Sequence, residues 1–310
     1  MTLPFLMDGN VSMACRYIIY YDTETRLINS QEALLNVRVD TRGKTMITEE
    51  TRFAQHLIRE QSSFGAKKLH SDLKCKGSSA SLSQLPVVTV IIPAYNEERN
   101  IEGVLSETIA VMDYLCLPYE IIVVDDGSTD ETKLVAYNFP VTILANEKNR
   151  GKGYCIRKGF ERSQGDIIVT MDSDGEHKPK EIPALIEPLF GGADVVAGSR
   201  FLGDHGHVTT RLNQIGNSVF NAAILSLTGK RVTDSQTGFR VMKRDVTKKF
   251  CLESDGYEIE TEITMKSLKN GFVFQEKPIS VERRKYGTSK LELLSDGARI
   301  LKTLIKTYFT

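Results

Sequence analysis

The stretch 165–177, "GDIIVTMDSDGEH", decides how the rest of the chain is read. A short apolar run, bounded by Gly165 and Asp166, opens into three carboxylates at alternating positions, Asp172, Asp174 and Glu176, with His177 beside them. Apolar runs of this kind, closed by turn residues, are strands buried on both faces, as a parallel sheet buries them. At i and i+2 on extended backbone two side chains point the same way, so Asp172 and Asp174 read as a pair. Carboxylates that close repel one another unless something positive sits among them. Hard oxygen ligands suit Mg2+ or Mn2+, which keep waters and take up a substrate phosphate as well. Taken alone, an acidic surface turn accounts for the pattern equally well.

The surroundings tip the balance. "VVTVII" (87–92) is a second continuous apolar strand, followed by "PAYNEERN" and the amphipathic "IEGVLSETIAVMDYL". "YEIIVV" (119–124) runs into "DDGSTD", where Ser128 or Thr129 can cap a helix. "VTILA" (141–145) and "ADVVAG" (193–198) read as strands, "GKGYCIRKGFERS" and "KPKEIPALIEPLF" as helices. Strands alternating with helices predict an α/β fold with a mainly parallel sheet covered by helices on both faces. In such sheets ligands bind beyond the carboxyl ends of the strands. "PAYNEE", "DDGSTD" and "DSDGEH" all fall there, which makes a metal site of Asp172, Asp174 and Glu176 the better reading. Asp125 and Asp126, at the tip of a strand, can accept hydrogen bonds from a ribose or base, an ordinary capped turn being the plain alternative. No G-x-G-x-x-G follows the first strand, and "NRGKGYC" lacks the Walker A spacing, so neither phosphate-loop class applies.

Composition sets the outer bounds. With 310 residues, 41% hydrophobic and 26% charged, the chain can bury a full core. Forty basic residues against forty acidic ones give a net charge of zero, which argues against a nucleic-acid or other polyanion partner. Five scattered cysteines, odd in number and without C-x-x-C spacing, read as reduced thiols in a cytosolic setting. No apolar stretch approaches the roughly 18 residues of a spanning helix, and the first residues lack the features of a signal peptide. The expectation is a cytoplasmic protein, soluble or peripheral at the cytoplasmic face of a membrane. The Ser-rich "KGSSASLSQLP" (76–86) reads as a linker. It separates an N-terminal extension of unassigned function, 1–85, from a catalytic domain, 86–310. Within the extension "CRYIIYY" suggests a strand, and 48–73 shows helical periodicity behind a Thr cap.

Seven segments occur in order: "VIIPAYNEERNI", "EIIVVDDGSTDET", "NRGKGYCIRKGF", "DSDGEHKP", "VAGSRF", "DSQTGFR" and "RRKYGTSKL". Over 86–310 the chain thereby resembles the inverting glycosyltransferases of family 2, with their A-type nucleotide-sugar fold, and within them the dolichyl-phosphate mannosyl- and glucosyltransferases. The resemblance implies that Pro93, Tyr95, Glu97 and Asp126, with Asp172, Ser173 and Asp174, hold the nucleotide-sugar donor. It implies that Asp172 and Asp174 are the D-x-D pair that keeps Mg2+ or Mn2+ on the diphosphate. Glu176, the third ligand expected, stands where mannosyltransferases commonly carry Gln. Together with "DSQTGF" and "GYEIETEI" it leans the donor towards a UDP-sugar over GDP-mannose. Arg200, Arg284 and Lys290 match cations used around phosphates, and Arg211 is expected to help grip the acceptor. Asp234 and Thr237 fall in a loop on the acceptor side. Asp174, Arg200 and Asp234 are the residues expected to be catalytic.

The implied reaction is direct displacement at the anomeric carbon by a polyprenyl phosphate. That acceptor is largely a dianion at neutral pH and needs little help from a base, so positioning and charge neutralisation carry the catalysis. The lipid asks for a route to the bilayer. "SKLELLSDGARILKTLIKTYFT" (289–310) has apolar residues at helical spacing with lysines between them. It fits an interfacial helix on a membrane surface and, equally, a terminal helix packed on the core; a membrane-protein partner is a further route. The solvated-face alternative applies to Arg283 and Lys285. A processive polysaccharide synthase is excluded by the missing Q-x-x-R-W motif, since the chain has no tryptophan. A transferase to a soluble or protein acceptor and a non-catalytic nucleotide-sugar-binding regulatory subunit stay as alternatives.

Overall fold

The structure, a computed structural model, describes residues 38–39, 45–46, 85–202, 211–287 and 293–310. The readings of "CRYIIYY", of 48–73 and of the Ser-rich linker up to residue 84 lie outside these; Arg38–Val39 and Thr45–Met46 form a short antiparallel pair. From residue 88 the chain runs β1 (Val88–Ala94), α1 (Ile101–Leu115), β2 (Tyr119–Asp125), α2 (Thr132–Ala136), β3 (Thr142–Ala145), α3 (Lys152–Arg162) and β4 (Ile167–Thr170). It continues with α4 (Ile182–Phe190), β5 (Val195–Ser199), α5 (Arg211–Thr228), β6 (Arg240–Lys243), α6 (Arg244–Thr247), α7 (Ile259–Lys269), β7 (Phe274–Pro278) and α8 (Leu293–Phe309).

Every residue of β1 is buried, as its unbroken apolar sequence requires of a strand covered on both faces. Its alternate side chains serve different layers. Val88, Val90 and Ile92 pack in one core with Ile101 and Leu105 of α1 and with Ile182 and Leu185 of α4. Ile91 packs in the other with Cys155 and Ile156 of α3 and Ile259 and Ile263 of α7. α1 contributes Ile101, Val104, Leu105, Thr108, Val111, Met112 and Leu115, a helical stripe, and ends where Cys116 turns left-handed at φ 52°.

The sheet order is β3-β2-β1-β4-β6-β5-β7. β2, β4, β3 and the β5–β7 pair run parallel to their neighbours, whereas β6 is antiparallel to both β4 and β5. The five strands read from the sequence are present. β6 and β7 were not foreseen, and together they make the sheet mixed at one side. From β1 the chain moves outward through β2 and β3, then returns to place β4 on the other side of β1. That reversal is the topological switch point at which α/β sheets bind ligands.

A third cluster joins Ile224 of α5, Met265 and Leu268 of α7, and Ile300 and Leu304 of α8. The last helix therefore packs on the core through one face. Its other face leaves Leu301, Ile305 and Phe309 at 46, 50 and 78% exposure. Among the described residues no helix is long and apolar enough to cross a membrane.

Candidate active site

Three loops meet at the switch point, and side chains of the DDGSTD segment stitch them. Asn96, left-handed at φ 53°, donates its N–H to Ser128 Oγ at 3.0 Å, and its Oδ1 accepts the Thr129 N–H at 2.8 Å. The Glu97 N–H donates to Thr132 Oγ1 at 2.7 Å. Ser128 thus holds the loop after β1 instead of capping α2, whose first N–H, that of Thr132, is taken by Asp130 at 3.0 Å. Asp126 latches a further loop: its carboxylate accepts from Asn146 Nδ2 and from the N–H groups of Arg150 and Gly151, each at 2.8 Å. Gly151 is obligatory there, because at φ +98° a Cβ would meet the Asp255 carbonyl oxygen at 2.3 Å.

A cavity of about 580 Å³ opens between these loops. Pro93, Tyr95 and Glu97 line it from the end of β1, Asp126 from β2, and Asp172, Ser173 and Asp174 from β4; Arg284 completes that side. Tyr257 before α7 and Ser295, Asp296 and Arg299 of α8, which the sequence did not suggest, also line it.

The acids carry their own cations. Lys152, at the start of α3, sets Nζ 2.5 Å from Asp172 Oδ1 and 2.9 Å from Glu260 Oε1. The second oxygen of Glu260 lies 3.2 Å from Nε of Arg240, a fully buried guanidinium that also donates to the carbonyls of Ser235, Thr237 and Glu260. Gly238 makes room for the pair: a Cβ there would come 2.5 Å from Lys152 Nζ and 2.9 Å from both Asp172 oxygens. Burial opposes the charge on Asp172, but the Lys152 ammonium outweighs it and holds the carboxyl at about 2. The same pairing keeps Lys152 above the usual ammonium range in spite of its burial. Burial lowers the His177 imidazole against the pull of Asp172, and its Nδ1 accepts the Asp172 N–H at 3.4 Å.

Arg284 answers Asp174. Its Nη2 donates to Asp174 Oδ2, its Nη1 lies 3.9 Å from Glu97 and its Nε 3.6 Å from Glu176. Backbone contacts set it there: Val281 bridges to His177, and the Glu282 N–H donates to the Glu176 carbonyl at 3.1 Å. Arg283 and Lys285 face solvent, as the bland reading of that basic run had it.

Two assignments change. Asp234 is fully buried, and both its oxygens serve Arg200, Oδ2 at 2.7 Å from Nε and Oδ1 at 2.9 Å from Nη2. Glu276 fastens that loop by accepting the N–H groups of Thr233 and Asp234 at 2.8 and 2.9 Å. A bidentate guanidinium takes up the face of the carboxylate that points at it and fixes the geometry of both groups. Asp234, expected to be catalytic, is placed so that it holds Arg200. Arg200 does not line the cavity, and its positive charge favours the ionised forms of Asp172 and Glu176. The second change concerns Glu176. Its side chain is 40% exposed and lies outside the cavity lining, and burial and the Asp174 charge push its carboxyl up. Among the described residues no three His, Cys, Asp or Glu side chains converge as a metal set. A three-carboxylate cage does not fit. Two hard carboxylates, Asp172 and Asp174, on one wall beside cationic groups do fit Mg2+ or Mn2+, which bind through one or two carboxylates plus phosphate oxygens. Lys290 and the Arg211 side chain lie outside the described residues.

Lys152, Glu260 and Arg240 were missed as functional residues. The faint signals were the Lys inside "NRGKG" and the three glutamates of "EIETEI", of which the second, Glu260, meets Arg240 and Lys152.

The fold and the motifs have known counterparts. The polyprenol monophosphomannose synthase of Mycolicibacterium smegmatis is 30% identical over 70% of this chain and 84% of its own length. The dolichol-phosphate mannosyltransferase of Pyrococcus furiosus is 32% identical over 66% of this chain and 59% of its own. In structure, the chain resembles glucosyl-3-phosphoglycerate synthase from Mycobacterium tuberculosis, solved with Mn2+, UDP-glucose and phosphoglyceric acid. The TM-score is 0.61 at 22% identity, covering 75% of this chain and 85% of that one. The family model described as glycosyl transferase family 2 matches residues 89–251, just over half of the chain and all of the loops that meet at the switch point except the one bearing Arg284. The chain belongs to glycosyltransferase family 2.

Proposed function

We propose that the protein transfers a monosaccharide from a nucleotide-sugar, a UDP-sugar in preference to GDP-mannose, to a polyprenyl phosphate with inversion. The observation that carries this is the cavity at the switch point. It gathers an aromatic ring and two acceptors for a nucleoside (Tyr95, Glu97 and Asp126), the Asp172–Asp174 pair, and the cations Lys152 and Arg284. The lipid acceptor is supported by the two relatives named for polyprenol and dolichol phosphates and by the apolar outer face of α8.

Asp172 and Asp174 would hold Mg2+ or Mn2+, which when bound supplies charge neutralisation of the leaving diphosphate. The acceptor phosphate oxygen forms the new bond to the anomeric carbon as the bond to the diphosphate breaks. The nucleophile is already a dianion, so no proton has to be removed. Arg200, clamped by Asp234, is the fixed cation beside the acid pair available to the incoming phosphate. Peripheral attachment through α8, at the cytoplasmic face of a membrane, would bring the lipid phosphate to the cavity.

The test is calorimetric titration of UDP-glucose, UDP-N-acetylglucosamine and GDP-mannose with Mn2+ and with chelator, on the wild type and on Asp174→Ala. One donor should bind only with metal and only to the wild type, and Asp174→Ala should lose transfer while keeping its circular dichroism. Turnover retained in a folded Asp174→Ala protein removes the metal-assisted reading.

A further inference from the structure

The two cations on the acid pair are held in unequal ways. Lys152 is 14% exposed and has a second anchor in Glu260, itself fixed by the buried Arg240. Taking Lys152 off Asp172 would leave a buried ammonium against half of its counter-charge, which is costly. Arg284 draws on acids of the cavity and its rim, Asp174, Glu97 and Glu176. It sits in a stretch where Glu282, Arg283, Lys285, Tyr286 and Gly287 are all exposed. The Arg284 side chain itself is 17% exposed, so what sets it apart from Lys152 is the exposed backbone segment that carries it. Its guanidinium also prefers planar, bidentate phosphate to scattered carboxylates at 3.6 and 3.9 Å.

Resting on the reading that Asp174 takes the divalent cation, we infer that Arg284 is the chain's own stand-in for that cation. It neutralises Asp174 until a donor arrives, then passes to the diphosphate and yields Asp174 to the metal, while Lys152 stays on Asp172. Metal and nucleotide then bind synergistically. Each makes room for the other through one side chain, and the coupling is reciprocal. Free metal at cellular concentration leaves the site closed by its own arginine.

The experiment is titration of MnCl2, alone and in saturating UDP, into the full chain and into Arg284→Ala, Arg284→Lys and Lys152→Met, read by calorimetry and by the electron paramagnetic resonance of free Mn2+. Thermal melts accompany each variant. Without nucleotide, Arg284→Ala should bind Mn2+ at least about tenfold more tightly than the wild type, because one cation within ~4–6 Å changes a carboxylate's affinity for positive charge by about one to three powers of ten. Arg284→Lys should fall between them, and Lys152→Met should show no such gain. UDP should tighten Mn2+ binding in both proteins through its own diphosphate oxygens, and by about tenfold more in the wild type than in Arg284→Ala. Equal Mn2+ affinity of wild type and Arg284→Ala, with UDP still promoting metal binding, overturns the stand-in role and leaves the metal-assisted transferase intact. An equal gain in Lys152→Met overturns the asymmetry between the two cations. Absence of Mn2+ binding in every protein, with and without UDP, overturns both readings together.

Discussion

Replacing Glu260 by Gln removes one charge and almost no volume, and the structure says what that charge holds. The side chain is 5% exposed and lies 2.9 Å from Lys152 Nζ and 3.2 Å from Arg240 Nε, with Arg240 itself at zero exposure. Removing one partner from a buried ion pair costs about 3–5 kcal/mol, since the remaining charge is left buried without its counter-charge. The amide oxygen keeps one acceptor and recovers about 1 kcal/mol. The expected loss is therefore roughly 3 kcal/mol, a sizeable part of the ~5–15 kcal/mol that holds a typical domain together. Urea unfolding followed by circular dichroism reads it directly as a lower midpoint at unchanged slope. At the ~2–4 °C per kcal/mol of a domain this size, the melting temperature should fall by about 6–12 °C. The double variant Arg240→Met with Glu260→Gln supplies the control. If the two groups form one relay, their losses should fall short of additivity by at least about 1 kcal/mol. A Glu260→Gln loss below about 1 kcal/mol, or strict additivity, refutes the relay.

Asp234→Asn should lower the melting temperature, because a buried ion pair loses one partner, and should unfasten Arg200, so that turnover of the folded variant falls on the order of 10²-fold, the cost of a misplaced group about 1 Å out of line. The donor KM stays near its wild-type value; a parallel rise in donor KM would return Asp234 to the donor site. Replacing Leu301, Ile305 and Phe309 together by Gln should weaken binding to anionic vesicles on the order of 10²-fold, at about 1 kcal/mol for each partly inserted side chain. Ile300 and Leu304 still hold the helix, so unchanged vesicle binding in a well-folded triple variant would remove α8 as the membrane contact.

What the sequence disclosed and what it withheld divide along a physical line. β1, β2 and β4 are long or unbroken apolar runs, and their pattern needs no partner to be recognised. β6 is four residues, "RVMK", and opens with the largest fully buried side chain of the described residues, Arg240. No local rule places an arginine in a sheet. It is admitted by Glu260, twenty residues on, and by three carbonyls. β7, "FQEKP", is an edge strand whose polar residues guard its open side, and it reads as a loop. The site divides in the same way. The spacing of Asp172 and Asp174 and their place after a strand are local facts. That Lys152 belongs to Asp172, and that Asp234 is consumed by Arg200, are facts of tertiary pairing. The terminal helix had two readings, interfacial or core-packing. The structure supplies the second through Ile300 and Leu304 and leaves the outer residues that the first requires.

The same pairing accounts for a protein of zero net charge that nevertheless fits a polyanionic donor. Lys152, Arg200, Arg240 and Arg284 are bonded or ion-paired to Glu97, Asp172, Asp174, Glu176, Asp234 and Glu260. Six carboxylates against four cations leave two negative charges, and both Asp172 and Asp174 face the cavity. Two is the deficit that one Mg2+ or Mn2+ makes good. Without it the excess is tolerable only because Arg284 spreads its single charge over three acids. With Asp174 holding the metal as proposed, the wall would have an arginine to give to the diphosphate. Arg200 stays locked on Asp234 and available to the second phosphate. A cluster with a fifth fixed cation would bind the donor without metal and would release the nucleoside diphosphate less readily after transfer. With the metal held as proposed, this imbalance would tie donor affinity to the metal.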